Sequence, residues 1–268
     1  MIDKSIFENI KFEDLKRVYL GGTGRMYRIE INGISYLYKP AEQKGTHKKQ
    51  LFRGYVQECA SNIQKIIDEN SFVPCTFINN ENLCGTFQIE VPHKDIRYGV
   101  AQDTLDYEFS ENEINCFLRE FITDYLLYNF DSHGSNFIVD NNGIIRGIDK
   151  EQSFRFIADL KEDFFDLDCN PNDIYGEREM IYHYIFRRYI NNTVNIDFSI
   201  LNQYITKIEN ISNSDYLSIF NKYIEYRKER IDSDYLAKLI LDKKIYLMER
   251  INNFINDLES KKVNIIKR

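Results

Sequence analysis

The stretch that decides how the rest of the chain is read is Asn129-Phe130-Asp131-Ser132-His133-Gly134-Ser135-Asn136-Phe137-Ile138-Val139, followed across a turn by Ile148-Asp149. It sets an Asp, a His and an Asn close together, then a Gly-centred turn at Asn141-Asn142-Gly143, then a second apolar run ending on another Asp. A carboxylate, a side-chain amide and a second carboxylate around a hairpin are the groups that magnesium-dependent phosphoryl transfer asks of a protein. One takes the proton of an attacking hydroxyl, and the others hold the metal on nucleotide phosphates. Alone, the pattern speaks only of metal and phosphate, so the flanking chain has to supply the rest.

Upstream, residues 11–40 read as a twisted hairpin. Val18-Tyr19-Leu20 leads into Gly21-Gly22-Thr23-Gly24, Met26 to Ile31 alternates as a strand, Asn32-Gly33 is a two-residue turn signal, and Ile34 to Lys39 returns as a strand that Pro40 ends. A glycine loop exposes backbone N–H groups that suit phosphate, although a plain hairpin turn explains the same residues. Lys39 at the strand end faces solvent unless a carboxylate orients it. Residues 47–69 carry Leu51, Phe52, Tyr55, Val56, Cys59, Ile63, Ile66 and Ile67 at helical spacing, with Glu58 beside that stripe. Phe72 to Ile78 and Leu83 to Val91 read as paired strands around Asn79-Asn80-Glu81-Asn82, and Pro92 stops the second. Residues 93–110 lose periodicity and mark the hinge, which divides the chain into an N-terminal lobe, 1–93, and a C-terminal lobe, 94–268.

From Glu111 the pattern turns helical. Ser110 is the expected N-cap with Glu113 three residues on, and Ile114, Phe117, Leu118, Phe121, Ile122, Tyr125 and Leu126 form the stripe that delivers the chain to Asp131. Beyond Phe154 comes an acidic loop (Glu162, Asp163, Asp166, Asp168), read as solvated surface. Helices are then expected near 177–191, 197–209, 215–230 and 234–260.

Composition narrows the class. The chain has 268 residues, 43% apolar and 29% charged, enough for a real core of one large domain or two lobes. A net charge of −7 argues against a nucleic-acid binder, which normally presents a basic face. Five cysteines without a CxxC pair read as free thiols in a reducing compartment and not as a metal site. Without an N-terminal basic-then-apolar signal or an apolar run of about 18 residues, the expectation is a cytoplasmic protein with no transmembrane segment. The oligomeric state is not legible.

Together these pieces resemble the kinase family that joins the phosphatidylinositol 3- and 4-kinases to HipA-type protein kinases. The resemblance covers about residues 18–156. Gly21-Gly22-Thr23-Gly24 followed by Tyr36-Leu37-Tyr38-Lys39-Pro40 is similar to the family's glycine loop and its nucleotide lysine. Glu58 in Gln57-Glu58-Cys59-Ala60 stands where the family has a helix glutamate, and Phe72-Val73-Pro74 resembles the strand start after that helix. Asp131-Ser132-His133-Gly134-Ser135-Asn136 fits the D-x-H-x-x-N loop, and Ile148-Asp149-Lys150-Glu151-Gln152-Ser153-Phe154 fits the metal-binding segment. Two departures stand out: Asp149 is followed by Lys-Glu where Phe-Gly is common, and Ser132 replaces an Arg often found between the Asp and the His.

The resemblance implies an α+β, two-lobed, protein-kinase-like fold, with a small mixed β-sheet and one main helix in the N-lobe and a mostly helical C-lobe. It implies ATP and Mg²⁺ as cofactors. Gly21, Gly22, Thr23 and Gly24 would cover the phosphates, and Lys39 would bind them while held by Glu58. Asp131 would act on the substrate hydroxyl, and Asn136 and Asp149 would bind the metal. His133 would hold the loop or stabilise transferred charge, and Thr23 is a candidate autophosphorylation site. Among substrates a protein Ser/Thr is favoured over a lipid headgroup. The helix 218–230 mixes Lys222, Arg227, Lys228 and Arg230 with Glu225 and Glu229, so it is not a one-sided basic surface for anionic membranes. A small-molecule kinase also spaces an Asp five residues before an Asn, but usually carries its His before the Asp. A catalytically silent pseudokinase is the alternative from a different class.

Overall fold

The computed structural model describes residues 2–20, 25–41, 50–95, 109–154, 157, 164–165, 167 and 180–266. Strand β1 (Lys16–Val18) runs antiparallel to β2 (Met26–Ile31), and Asn32 (φ 53°) with Gly33 (φ 76°) turns the chain back as β3 (Ile34–Pro40). Both turn residues are left-handed, which matches the twist of the flanking strands and explains why Asn-Gly stands here. Helix α1 (Leu51–Ile67) follows, then β4 (Cys75–Asn79) and β5 (Cys84–Ile89), giving a five-stranded sheet in the order β1-β2-β3-β5-β4. The expected mixed sheet is antiparallel at every pairing, because β2–β3 and β4–β5 are both tight hairpins and β5 meets β3 head to tail.

The sheet's two faces have different tasks. Tyr27, Tyr36, Tyr38, Ile78 and Phe87 close one core over Phe7 and Leu15, with the Phe7 and Phe87 rings stacked 4.0 Å apart. By the period-two alternation of a strand, Leu37 and Lys39 point to the opposite side, where α1 lies. Gly54 lets α1 approach: a Cβ there would collide with the Phe77 ring on β4. Helix α1 then buries Val56, Ala60, Ile63 and Ile67 in a second, larger core that belongs mainly to the helices.

Strand β6 (His93–Asp95) pairs with β7 (Phe137–Asp140), which pairs with β8 (Ile145–Gly147). The expected lobe boundary thus falls where the chain joins a second sheet; residues 96–108 of the hinge lie outside the described residues. Between β6 and β7 runs α2 (Glu111–Leu127), with the capping box of Ser110 and Glu113 formed in both directions. Tyr128 ends it in the left-handed region at φ 52°, reversing the chain straight into Asn129.

The remaining helices are α3 (Ile181–Ile190), α4 (Ile200–Glu209), α5 (Asn213–Ser218), α6 (Asn221–Arg227), α7 (Ser233–Ile245) and α8 (Leu247–Ile266). Two expected single helices are split. The 215–230 stretch breaks around Phe220, which drops fully into the core, and 234–260 breaks at Tyr246. Each buried Phe, Leu or Ile of this core contributes roughly 1.5–3 kcal/mol, and Phe121 touches Phe164, Phe165, Tyr182, Phe186 and Phe254. The glycine loop 21–24 and the acidic loop residues Glu162, Asp163, Asp166 and Asp168 lie outside the described residues.

Candidate active site

Lys39 leaves β3 on the α1 side of the sheet, and the β7–β8 hairpin brings Asp149 to it. The ammonium donates to Asp149 Oδ1 at 2.6 Å and stands 3.2 Å from Glu151 Oε2. Glu151 is bridged on its other oxygen by Arg53 Nη1 of α1 at 2.9 Å. Burial works against the charge on Lys39, but Asp149 and then Glu151 outweigh it and hold the amine above its ordinary range. The Glu151 carboxyl is pushed up by burial and by Asp149, against the pull of Lys39 and Arg53. Asp149 itself sits at φ 55°, a left-handed position that a short polar side chain tolerates.

Asp131 belongs to the same field. Burial first, then Asp149 and Glu151, raise its carboxyl to about 6, with Lys39 and Asn136 opposing. Asn136 Nδ2 donates to the Asp131 carbonyl at 2.6 Å, which closes the loop on itself. His133 Nε2 lies 3.4 Å from Asp131 Oδ1, and its Nδ1 shares a 2.7 Å hydrogen bond with the Ser135 hydroxyl. Two groups of contacts, Lys39 with Asp149 and Asp131 with His133 and Asn136, are thus brought together; the Ile148 amide, next to Asp149, donates to the Asn136 carbonyl at 2.8 Å, and Asp149 acts on the Asp131 carboxyl through the field.

Glu58 is not part of it. The expected Lys39–Glu58 pair is replaced by Lys39–Glu151. Glu58 Oε1 instead accepts from Lys4 Nζ at 2.6 Å, Thr76 Oγ1 at 2.9 Å and the Phe77 amide at 3.3 Å. The reason is helical phase: Arg53 and Glu58, five positions apart, point about 140° apart around α1. One faces the hairpin and the other faces β4. Gly21, Gly22, Thr23 and Gly24 lie outside the described residues.

The sequence reading missed what anchors the loop. Asp124, fully buried on α2, accepts from Ser132 Oγ at 2.6 Å, Tyr182 Oη at 2.6 Å, Asn129 Nδ2 at 2.9 Å and Lys150 Nζ at 2.8 Å. Lys150 lies 3.4 Å from Glu120, which also takes a hydrogen bond from Gln64 of α1. Burial opposes charge on Lys150, but Asp124 and Glu120 raise its affinity for the proton; on Glu120 burial is likewise outweighed, by Lys150 and Arg119, and its carboxyl is lowered. Gly147 makes room: a Cβ there would strike Glu120 Oε2 and Lys150 Nζ. Ser132, the departure from the resembled motif, thus ties the loop to α2 by its hydroxyl. One signal was legible. Helix α2 is apolar nearly all round, so Glu120 and Asp124 within it had to be buried and had to find a cation.

The donor set suits Mg²⁺. Asn136 spends its Nδ2 on the Asp131 carbonyl, leaving the amide oxygen as a hard ligand, and Asp149 adds a carboxylate. Among the described residues no group of three or more His, Cys, Asp or Glu gathers as a metal cluster. Mg²⁺ on a nucleotide needs none, being held by one or two protein oxygens plus phosphates and water.

No protein-family model and no curated protein sequence matches the chain. Among solved structures it is similar to the Helicobacter pylori proinflammatory kinase CtkA, at 14% identity and a TM-score of 0.41, over 88% of this chain and 97% of that one. It is also similar to the MAP kinase LmaMPK10 from Leishmania major, at 10% identity and a TM-score of 0.32, over 84% and 76%. Likeness this distant says nothing of chemistry. The order of elements, an antiparallel sheet with one helix, a crossing to a second small sheet and a mostly helical remainder, fits the α+β, two-lobed, protein-kinase-like fold expected from the sequence.

Proposed function

We propose that the chain is an ATP- and Mg²⁺-dependent kinase that transfers the γ-phosphate to a hydroxyl, with a protein Ser/Thr as acceptor. The observation that carries this is the 2.6 Å contact of Lys39 with Asp149, across 110 positions of sequence, with Asp131 in the same electrostatic field. Lys39 would bind the nucleotide phosphates. Asp149 and Asn136 would hold Mg²⁺, which when bound neutralises charge on the transferring phosphoryl group. Asp131 would take the proton of the acceptor hydroxyl, and at about 6 its carboxyl is ionised at neutral pH yet more basic than an ordinary Asp. His133, in contact with Asp131, would orient that carboxylate. Gly21 to Gly24 would cover the phosphates by the resemblance to the lipid-kinase and HipA families. The protein acceptor is favoured by the mixed surface of α6 and its flank, where Lys228 pairs with Glu225 and so presents no one-sided basic face to a membrane. Among the described residues no helix is long and apolar enough to cross one.

The test is transfer from radiolabelled ATP with Mg²⁺, by wild type and Asp149→Ala. Label on the chain or on an added protein should fall at least about a hundredfold in the variant, the scale of losing positioned charge stabilisation. Phosphatidylinositol vesicles in a parallel reaction separate a lipid acceptor from a protein one. Failure of the wild type to bind ATP·Mg²⁺ by thermal shift would overturn the kinase reading and favour a silent binding module.

A further inference from the structure

We infer that Glu151, two residues beyond Asp149, is the second carboxylate that positions Lys39 in this chain, in the place the resemblance gives to Glu58, and that α1 supports it with a cation, Arg53. The inference rests on the kinase reading for its consequence but on geometry for its substance. Glu151 stands between two positive groups, Lys39 at 3.2 Å and Arg53 at 2.9 Å, and its side chain is 13% exposed. The α1 glutamate that the resemblance nominates is engaged with Lys4, Thr76 and the Phe77 amide. The link from helix to nucleotide lysine therefore has reversed polarity. The helix contributes the guanidinium, and the bridging acid comes from the hairpin exit of the other lobe.

The arrangement has a mechanical meaning. Asp149 and Glu151 share one ammonium on adjacent turns of backbone, so Asp149 can turn to another cation while Glu151 keeps Lys39 in place. Arg53 holds the far oxygen of Glu151 through its Nη1 at 2.9 Å, leaving the near one to Lys39. The same bridge ties α1 to the hairpin exit, so a shift of α1 would be felt at the lysine. Glu151 is thus a positioning residue, and Glu58 a fastener between α1, β4 and the N-terminal segment.

Two measurements test this. The first needs no nucleotide: coupling by a water-soluble carbodiimide joins an amine to a carboxylate it touches, forming an amide as the reagent leaves as its urea. Trypsin then separates the partners, because cleavage after Lys150 puts Asp149 and Glu151 on different peptides and cleavage after Arg53 starts the one holding Glu58. In Asp149→Asn, which removes the nearer carboxylate, Lys39 should be found joined to the Glu151 peptide, and Lys4 to the Glu58 peptide. Lys39 joined to Glu58, or not joined to Glu151, in that variant would overturn the inference.

The second is binding of ATP, ADP and adenosine by wild type, Glu151→Gln, Arg53→Met and Glu58→Gln. Loss of one charged hydrogen bond predicts about tenfold weaker ATP and ADP binding in Glu151→Gln, a smaller loss in Arg53→Met, and adenosine binding unchanged in both. Weakening of all three ligands alike would mark a merely structural residue and overturn the inference. So would ATP weakening in Glu58→Gln with none in Glu151→Gln. If wild type binds no nucleotide, the kinase reading fails, while the coupling result still decides what holds Lys39.

Discussion

Two charge clusters meet at the 129–154 segment, and they differ in how far water reaches them. Around Asp124, Glu120 and Asp124 face Lys150 and Arg119, all nearly inaccessible to solvent; Arg119 also reaches Asp68 at 3.3 Å, and hydroxyl and amide donors fill Asp124. Around Lys39 the groups are partly open to solvent: among the described residues Asp149 and Glu151 share Lys39, Arg53 backs Glu151, and the Asp131 carboxyl is raised by burial first and then by those two carboxylates. A buried network of this kind holds a loop still, whereas partly exposed carboxylates around one ammonium are placed to meet a further positive charge. The first cluster makes the second possible, since Ser132 and Asn129, which bind Asp124, bracket Asp131.

The sharpest way to break the comparison is Asp124→Ala. It strands Lys150 without its main partner and takes the acceptor from Ser132, Tyr182 and Asn129, so a loss of roughly 3–5 kcal/mol in urea unfolding is expected. Lys150→Met added to it should recover part of that loss, because a buried pair removed together costs less than one partner removed alone. Additive damage would show that the two do not act as a pair.

Asp131→Asn sharpens it from the other side. Because the folded carboxyl lies near 6, above the ordinary 3.8, ionisation of Asp131 opposes folding. The variant should gain on the order of 2 kcal/mol at pH 7–8. The sign follows from linkage: the folded state holds the proton more tightly, so the wild type loses stability as pH rises from about 4 to about 6 and the gap to the variant opens over that window. Below it the two should unfold alike. Stability gained while phosphoryl transfer is lost would mark Asp131 as strained for use. A variant less stable at pH 8 would refute the raised carboxyl of Asp131.

The smallest effect is expected at the edge of the comparison. Lys4→Ala removes the ion pair to Glu58, but the lysine is 42% exposed and Glu58 retains Thr76 and the Phe77 amide. A change of at most about 1 kcal/mol in thermal unfolding is expected, with nucleotide affinity untouched.

Much of this was legible in the residues. Asn32-Gly33 fixes its hairpin because few residues tolerate two successive left-handed positions, and Ser110 with Glu113 starts α2 by local hydrogen bonds alone. The stripes of α1 and α2 report their buried faces by period. The placement of Asp131 beside Asn136 was legible because the loop that presents them is continuous in sequence. Helix breaks at Phe220 and Tyr246 could not, since the apolar spacing runs on through both and only packing against other helices decides where the chain bends.

Side-chain partnership was the other thing sequence could not decide. A glutamate and an arginine on α1 are equally plausible neighbours of Lys39 until the helix is rotated into place against β4, and that rotation is set by Gly54 seating on Phe77. Likewise Ser132 looked like a lost anchor until Asp124 came up beneath it from α2. The sequence by itself determined the order of elements and the loop that carries the acid, the amide and the second acid, because these rest on local turns and periodicity. Only the tertiary structure decided that Lys39 pairs with Asp149 and Glu151 and not with Glu58, and that Asp124 with Lys150 holds the loop, because charge pairs form between distant segments and obey distance, not sequence.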